Sequence, residues 1–366
     1  MGRFFLRVGA WLLAVPYLLA VTLVVTGSPT WSAIAYLLAL GLLMAGLMTL
    51  PSEKDGARTV FGKKWPRGVS RAGLIAIFAV VFVRCCSAGS GESLHMATSA
   101  RLVDRLVDEQ DVALSGMRVL SGGRLLQDDK KELPGAMREA YAQMRDEQGD
   151  APSPFVATYL GLQRPSAYDM ILVDPPGQTP PTTAVVFLHG YAGNFSLPCW
   201  QIAQAVKGLG VLTACPSTTF VGAWGSADGE ETVRDVVKVL RERGITKMVL
   251  AGLSNGGYGA SMLAPKLGST FAGYVFISGV EDDAGVAGAP VLLVHGAHDS
   301  MAGYGEAVSY RSKHANAKLV TLNAGHFAML VKRPEFDKAL RDFVVHTTGA
   351  RETLVSDSRI RADRSL

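Results

Sequence analysis

Hydrophobic positions crowd the front of the chain and give way to shorter, punctuated runs behind it. Val8 to Thr26 is apolar apart from its threonines and Pro16, and after the uncharged stretch Gly27 to Thr30 a second run extends from Trp31 to Leu50. Each has about the ~20 residues that cross a ~30 Å hydrocarbon core as a helix, which predicts spans over 8–26 and 31–50. Arg3 and Arg7 ahead of the first run leave a cleaved signal peptide as the alternative. The lack of a clear small-x-small cleavage site near Thr26 and the second run that follows at once favour a retained hairpin. A third run, Ala72 to Val83, is shorter and ends in Arg84-Cys85-Cys86. Continued to Ala88, with Arg84 snorkelling to the interface, it predicts a third span over 72–88.

From Glu92 to Pro154 the pattern turns polar and helical. Leu102, Val103, Leu106 and Val107 recur at helical spacing, as do Leu133, Met137, Ala140, Tyr141 and Met144, with Pro134 near a start and Gly149 near a stop. This reads as a helical linker, 92–154, that packs on the following domain or acts as a lid over it. From Phe155 short β-rich runs alternate with amphipathic stretches. Strands are expected at Asp169–Val173, Ala184–Leu188, Gly210–Ala214, Lys247–Ala251, Gly273–Ser278, Pro290–Val294 and Lys318–Leu322. Helices are expected at Leu197–Lys207, Gly229–Arg243, Gly256–Leu267, Tyr304–His314 and Pro334–Val345. Fully apolar strands such as "AVVFLHG" and "VLLVHG" suit a sheet covered on both faces, and the alternation implies a mostly parallel α/β sheet flanked by helices over 155–348. The charged end, 349–366, reads as a disordered tail.

Charge sets the expected topology. Pro51 to Arg71 carries Lys54, Arg58, Lys63, Lys64, Arg67 and Arg71 against Glu53 and Asp55. Basic residues beside spans stay in the cytoplasm, so this loop and the N-terminus are expected inside, and a third span would carry everything after 1–91 outside. The net charge of +4 sits largely in that loop and in the tail, which disfavours nucleic acid as a partner.

Candidate chemistry centres on "VLAGLSNGGYGAS". Gly252-Leu253-Ser254-Asn255-Gly256 is a G-x-S-x-G pattern at the junction of an expected strand and an expected helix, where a tight turn can lift a serine above the carboxyl edge of the sheet. A serine hydroxyl is a weak nucleophile and needs a base held by an acid. Asp299 and His326 each follow a later strand on that same edge, in the chain order Ser, Asp, His. Glu281, Asp282 and Asp283 are the alternative acids. No metal spacing of the HExxH kind and no phosphate-binding loop appears.

Taken together, "HGYAGN" (His189–Asn194), "GLSNGG" (Gly252–Gly257), "HGAHD" (His295–Asp299) and "AGHF" (Ala324–Phe327) make the region from Phe155 to His346 resemble the α/β-hydrolase superfamily. The resemblance implies Ser254 as nucleophile, His326 as general base and then acid, Asp299 as the residue that orients the imidazole, and an oxyanion hole from the backbone amides of Tyr191 and Asn255. It implies no cofactor. Trp200, Trp224 and His298 are candidate pocket walls, with ordinary packing open for each tryptophan. No cap domain fits the short connection between Ser278 and Pro290, so an open site is expected. Cys199 and Cys215 should lie at one edge of the sheet, as a disulfide or as buried thiols. The resulting expectation is a membrane-anchored serine esterase acting on a small-molecule or lipid-like ester. Peptidase, thioesterase, lipase and acyltransferase activities use the same triad, and a non-catalytic binding module is the alternative of another class.

Overall fold

The computed structural model describes residues 2–49, 68–89, 91–98, 101–122, 126, 129, 131–177 and 179–352. The basic loop from Pro51 to Arg67 and the tail beyond 352 lie outside them. The chain forms two compact units, Met1–Ala88 with Arg105–Val119, and Gly89–Asp104 with Leu120–Leu366.

In the first unit α1 (Gly2–Leu12) and α2 (Ala14–Val25) are followed by α3 (Trp31–Met48) and α4 (Gly68–Ser87). Three stretches, Val8–Val25, Trp31–Met48 and Gly68–Ser87, are long and apolar enough to cross a membrane. The break between α1 and α2 falls at Leu13, one turn before Pro16, whose ring crowds the preceding turn and whose nitrogen has no proton to donate. Residues 105–118 gather the helix ends. Asp111 accepts from the Thr30 amide at 2.9 Å and from its hydroxyl at 2.6 Å. Arg118 donates to Leu23 O at 2.7 Å and to Thr26 Oγ1 at 2.6 Å, and Arg84 Nε donates to Arg105 O at 3.2 Å. The α2–α3 turn and the C-terminus of α4 therefore share one end of this unit. Arg84 is buried, with this carbonyl and Asp108, 3.9 Å away, at its guanidinium.

The second unit is built on an eight-stranded sheet of order β1-β2-β4-β3-β5-β6-β7-β8. Its strands are β1 (Leu94–Thr98), β2 (Met170–Val173), β3 (Thr183–Leu188), β4 (Val211–Pro216), β5 (Lys247–Leu253), β6 (Gly273–Ile277), β7 (Val291–Gly296) and β8 (Ala317–Leu322). The β1–β2 and β2–β4 pairs are antiparallel, and every other pair is parallel. Strands β3, β6 and β7 are buried along their whole length, as the unbroken apolar runs require of strands covered on both faces. Helix α5 (Glu109–Gly122) lies mostly in the first unit, and α6 (Leu133–Gln148) and α7 (Phe155–Tyr159) precede β2. After it come α8 (Ser196–Ala205), α9 (Ala227–Glu242), α10 (Asn255–Leu267), α11 (Tyr304–Lys313), α12 (Ala328–Val331) and α13 (Arg333–Thr348). Residues of α9, α10 and α11 join one face of the sheet in a single apolar core with Trp224, Phe276 and Tyr310, while α8 and α13 pack together against the other.

Strand order reverses at β3, which has β4 on one side and β5 on the other. Loops that leave the carboxyl ends of two such strands diverge to opposite faces and open a crevice, the usual ligand position in open α/β sheets. The loops leaving β3 and β5 here are "HGYAGN" and the turn at Ser254.

Candidate active site

Ser254 occupies the single residue between β5 and α10, with φ 55° and ψ −121°. A left-handed φ is costly for a residue with a Cβ and persists only where the surroundings impose it. They do so here through backbone bonds on both sides: Ser254 N donates to Ile277 O and Tyr258 N donates to Ser254 O, both at 2.9 Å. Gly256 lies so close to the end of β3 that a Cβ there would run into the carbonyl oxygen of Leu188. The loop after β3 is equally near, since a Cβ on Gly190 would stand 3.2 Å from that of Ser254. The hydroxyl is thus displayed at the switch point beside the His-Gly loop, and it makes no hydrogen bond within the described residues.

Asp299 and His326, from the loops after β7 and β8, are in direct contact. His326 Nδ1 lies 2.9 Å from Asp299 Oδ2 and 3.0 Å from Oδ1. Burial pushes the Asp299 carboxyl up, but hydrogen bonds from His295, His326 and the Ala302 amide outweigh it and hold the group well below the usual carboxylate range. An ionised carboxylate can only accept, so Nδ1 of His326 carries the proton and Nε2 is left with a free lone pair. The acid is itself fixed: Asp299 Oδ1 accepts from the Met301 and Ala302 amides at 2.8 and 2.9 Å, and His295 Nε2 approaches Oδ2 at 3.2 Å. His298 is exposed and bridges the two loops through Asn323 Oδ1 at 3.0 Å. Of the alternative acids, Asp282 and Asp283 are both paired to Lys313.

Neither the Tyr191 nor the Asn255 amide finds an acceptor among the described residues. Asn255 opens α10, where the dipole and unpaired N–H groups favour negative charge. Tyr191 is exposed and packs edge-on against Phe220, which in turn meets Tyr159. An aromatic rim therefore borders the His-Gly loop.

Both tryptophans fall in the core rather than on a pocket wall. Trp224 is fully buried and donates from Nε1 to His189 O at 2.9 Å, which braces the His-Gly loop from beneath. Trp200 is buried under the guanidinium of Arg333, 5.0 Å from the ring centroid, and points Nε1 at Glu147. Burial also pushes the His189 imidazole down to about 4, against a backbone hydrogen bond to Gly190 that opposes the shift. Its Nε2 accepts from the Thr218 amide at 3.1 Å, so this histidine is a neutral structural link. Cys199 and Cys215 form a disulfide with their Cα atoms 6.0 Å apart, joining the start of α8 to the end of β4.

Sequence reasoning passed over Asp129. Its carboxylate is buried against the His326 loop, yet in the charged run "DDKKE" it looks like any solvated residue.

A mostly parallel sheet with the serine turn after β5, the carboxylate after β7 and the histidine after β8 is the α/β-hydrolase fold. Solved structures of that fold match the chain. Est1E from Butyrivibrio proteoclasticus is 16% identical, with 50% of this chain and 95% of that one covered at a TM-score of 0.42. A CIB-like hydrolase from Thermoplasma acidophilum is 18% identical, with 49% and 93% covered at 0.41. Oligopeptidase B from Trypanosoma brucei is 14% identical, with 52% and 37% covered at 0.42. No family model matches the chain, and no curated protein does.

Proposed function

We propose that the protein is a membrane-anchored serine hydrolase that cleaves carboxylic esters through an acyl-enzyme. The observation that carries this reading is the convergence on one sheet edge of a serine held at φ 55° and a buried Asp299–His326 pair whose free imidazole nitrogen is a base. In the proposed cycle Ser254 Oγ attacks the ester carbonyl while His326 Nε2 takes its proton. The oxyanion accepts hydrogen bonds from the Asn255 and Tyr191 amides. The tetrahedral intermediate collapses and the alcohol leaves with the proton from Nε2; water then gives a proton to Nε2 as it attacks the acyl-enzyme, and the second intermediate releases the carboxylic acid as Ser254 Oγ takes that proton back. An alcohol is a better leaving group than an amine, so an ester makes the smaller demand on His326 as acid.

The aromatic rim of exposed Tyr191 and Tyr159 around half-buried Phe220 supports an apolar or aromatic group on the ester. The expected cytoplasmic basic loop and the three candidate spans support the reading of a catalytic unit outside the cytoplasm. The Cys199–Cys215 disulfide agrees with an oxidising compartment.

The test is hydrolysis of p-nitrophenyl esters of graded acyl length by the detergent-solubilised protein. Turnover by wild type that is lost in folded Ser254→Ala and His326→Ala is the expected result. Turnover that survives in Ser254→Ala would refute the assignment.

A further inference from the structure

One side chain from far upstream grips the loop that carries His326 on both sides of the histidine. Asp129 accepts the amide of Gly325 on Oδ1 at 2.6 Å and the amide of Phe327 on Oδ2 at 2.9 Å, so one carboxylate clamps the peptide on each side of the histidine. It is 2% exposed, and charge-assisted bonds of this kind are roughly twice as strong as neutral ones. The clamp is anchored in turn, because the Asp129 carbonyl accepts from the amides of Glu132 and Leu133 at the start of α6, at 3.2 and 2.9 Å. Gly325 fits the same contact: a Cβ there would stand 2.8 Å from Asp129 Oδ2 and 2.9 Å from Cγ. An outer ion pair, Lys332 to Glu132 at 3.0 Å, joins the same two segments in the open.

We propose that Asp129 is a positioning residue for His326, fixing the backbone from which the imidazole meets Asp299 through Nδ1 and leaves Nε2 as the proposed base. The inference rests on the reading of His326 as the general base. Asp129 touches neither substrate nor imidazole in this account. It acts by denying the loop its alternative conformations, and a displacement of about 1 Å in a catalytic group can cost on the order of a hundredfold in rate.

The test compares full-length Asp129→Asn, Gly325→Ala and, as a control on the outer ion pair, Glu132→Gln. Asn can accept only one of the two amides and turns its own N–H groups on the other, while an Ala at 325 pushes the intact carboxylate away. Both are expected to lower kcat for a p-nitrophenyl ester by about tenfold to a hundredfold with KM within about twofold, and Glu132→Gln is expected to match wild type. Folded Asp129→Asn and Gly325→Ala with wild-type kcat would overturn the proposal, as would losses shared equally with Glu132→Gln. A second readout does not need ester turnover. The His326 Nδ1 proton, hydrogen-bonded to Asp299, gives a downfield proton resonance that should shift or broaden in Asp129→Asn. An unchanged resonance would overturn the positioning role, whereas an inactive wild type whose resonance still responds to Asp129→Asn would count against the hydrolase reading alone.

Discussion

His326 meets Asp299 through Nδ1 at 2.9 Å, and His295 reaches the same carboxylate from the opposite ring nitrogen at 3.2 Å. Two imidazoles on one buried acid give it two charge-assisted donors, and the backbone amides of Met301 and Ala302 complete its shell. The result is an anion that stays ionised far below neutrality, so the tautomer of His326 is imposed by its partner.

Asp299→Asn tests that imposition. An amide can donate to Nδ1 and select the wrong tautomer, leaving Nε2 protonated and useless as a base. The expected loss in kcat is about 10⁴-fold, the scale seen when a serine triad loses its acid in this way, with the fold retained by circular dichroism. A loss of less than about tenfold would show that another carboxylate serves His326.

The Cys199–Cys215 bond closes a loop with a sequence separation of 16. Chain-entropy reasoning assigns such a loop about 3 kcal/mol of stabilisation. Cys199→Ser should therefore lower the thermal midpoint of the second unit by roughly 5–12 °C and add a free thiol at Cys215 to those of Cys85 and Cys86. Thiol counting by mass spectrometry on the non-reduced protein and a melting curve check both parts.

His189 predicts a stability change with pH. Its folded value is lowered to about 4 from an unfolded one near 6.5, so between these limits the unfolded chain binds a proton that the folded chain refuses. Stability should be complete above about pH 6.5, fall as the pH drops toward 4, and level off below, a contribution on the order of 3 kcal/mol. Denaturant unfolding across that window should lose this slope in His189→Gln, which keeps an acceptor for the Thr218 amide but cannot titrate. A slope unchanged by the substitution would assign the effect to other groups.

How much of this was legible in the sequence follows from where each residue finds its partners. β3 and β7 announce themselves because each is an apolar run ending in His-Gly, and burial on both faces leaves no polar alternation to confuse the reading. The places of Ser254, Asp299 and His326 beyond strand ends could be read for the same reason. β1 could not: Leu94–Thr98 becomes a strand by antiparallel pairing with β2, some seventy-five residues later, and nothing in "LHMAT" signals it within the expected helical linker. α5 was equally hidden, since its Asp111 and Arg118 are satisfied by the ends of α2 and α3. The tryptophans were open between pocket wall and core, and burial decides for the core. Trp200 and Trp224 follow strand exits and so look like pocket walls, yet each turns its indole into the core, with Nε1 pointed at Glu147 or at the His189 carbonyl. Asp129 combines both difficulties, because its role depends on a loop nearly two hundred residues away.

The central claim is that Ser254 is an activated nucleophile, and fluorophosphonate labelling followed by peptide mapping tests it most directly. One stoichiometric adduct is expected on Ser254 in the detergent-solubilised wild type, absent in folded Ser254→Ala and strongly slowed in His326→Ala. A well-folded wild type that stays unlabelled, or carries its adduct on another residue, would contradict it.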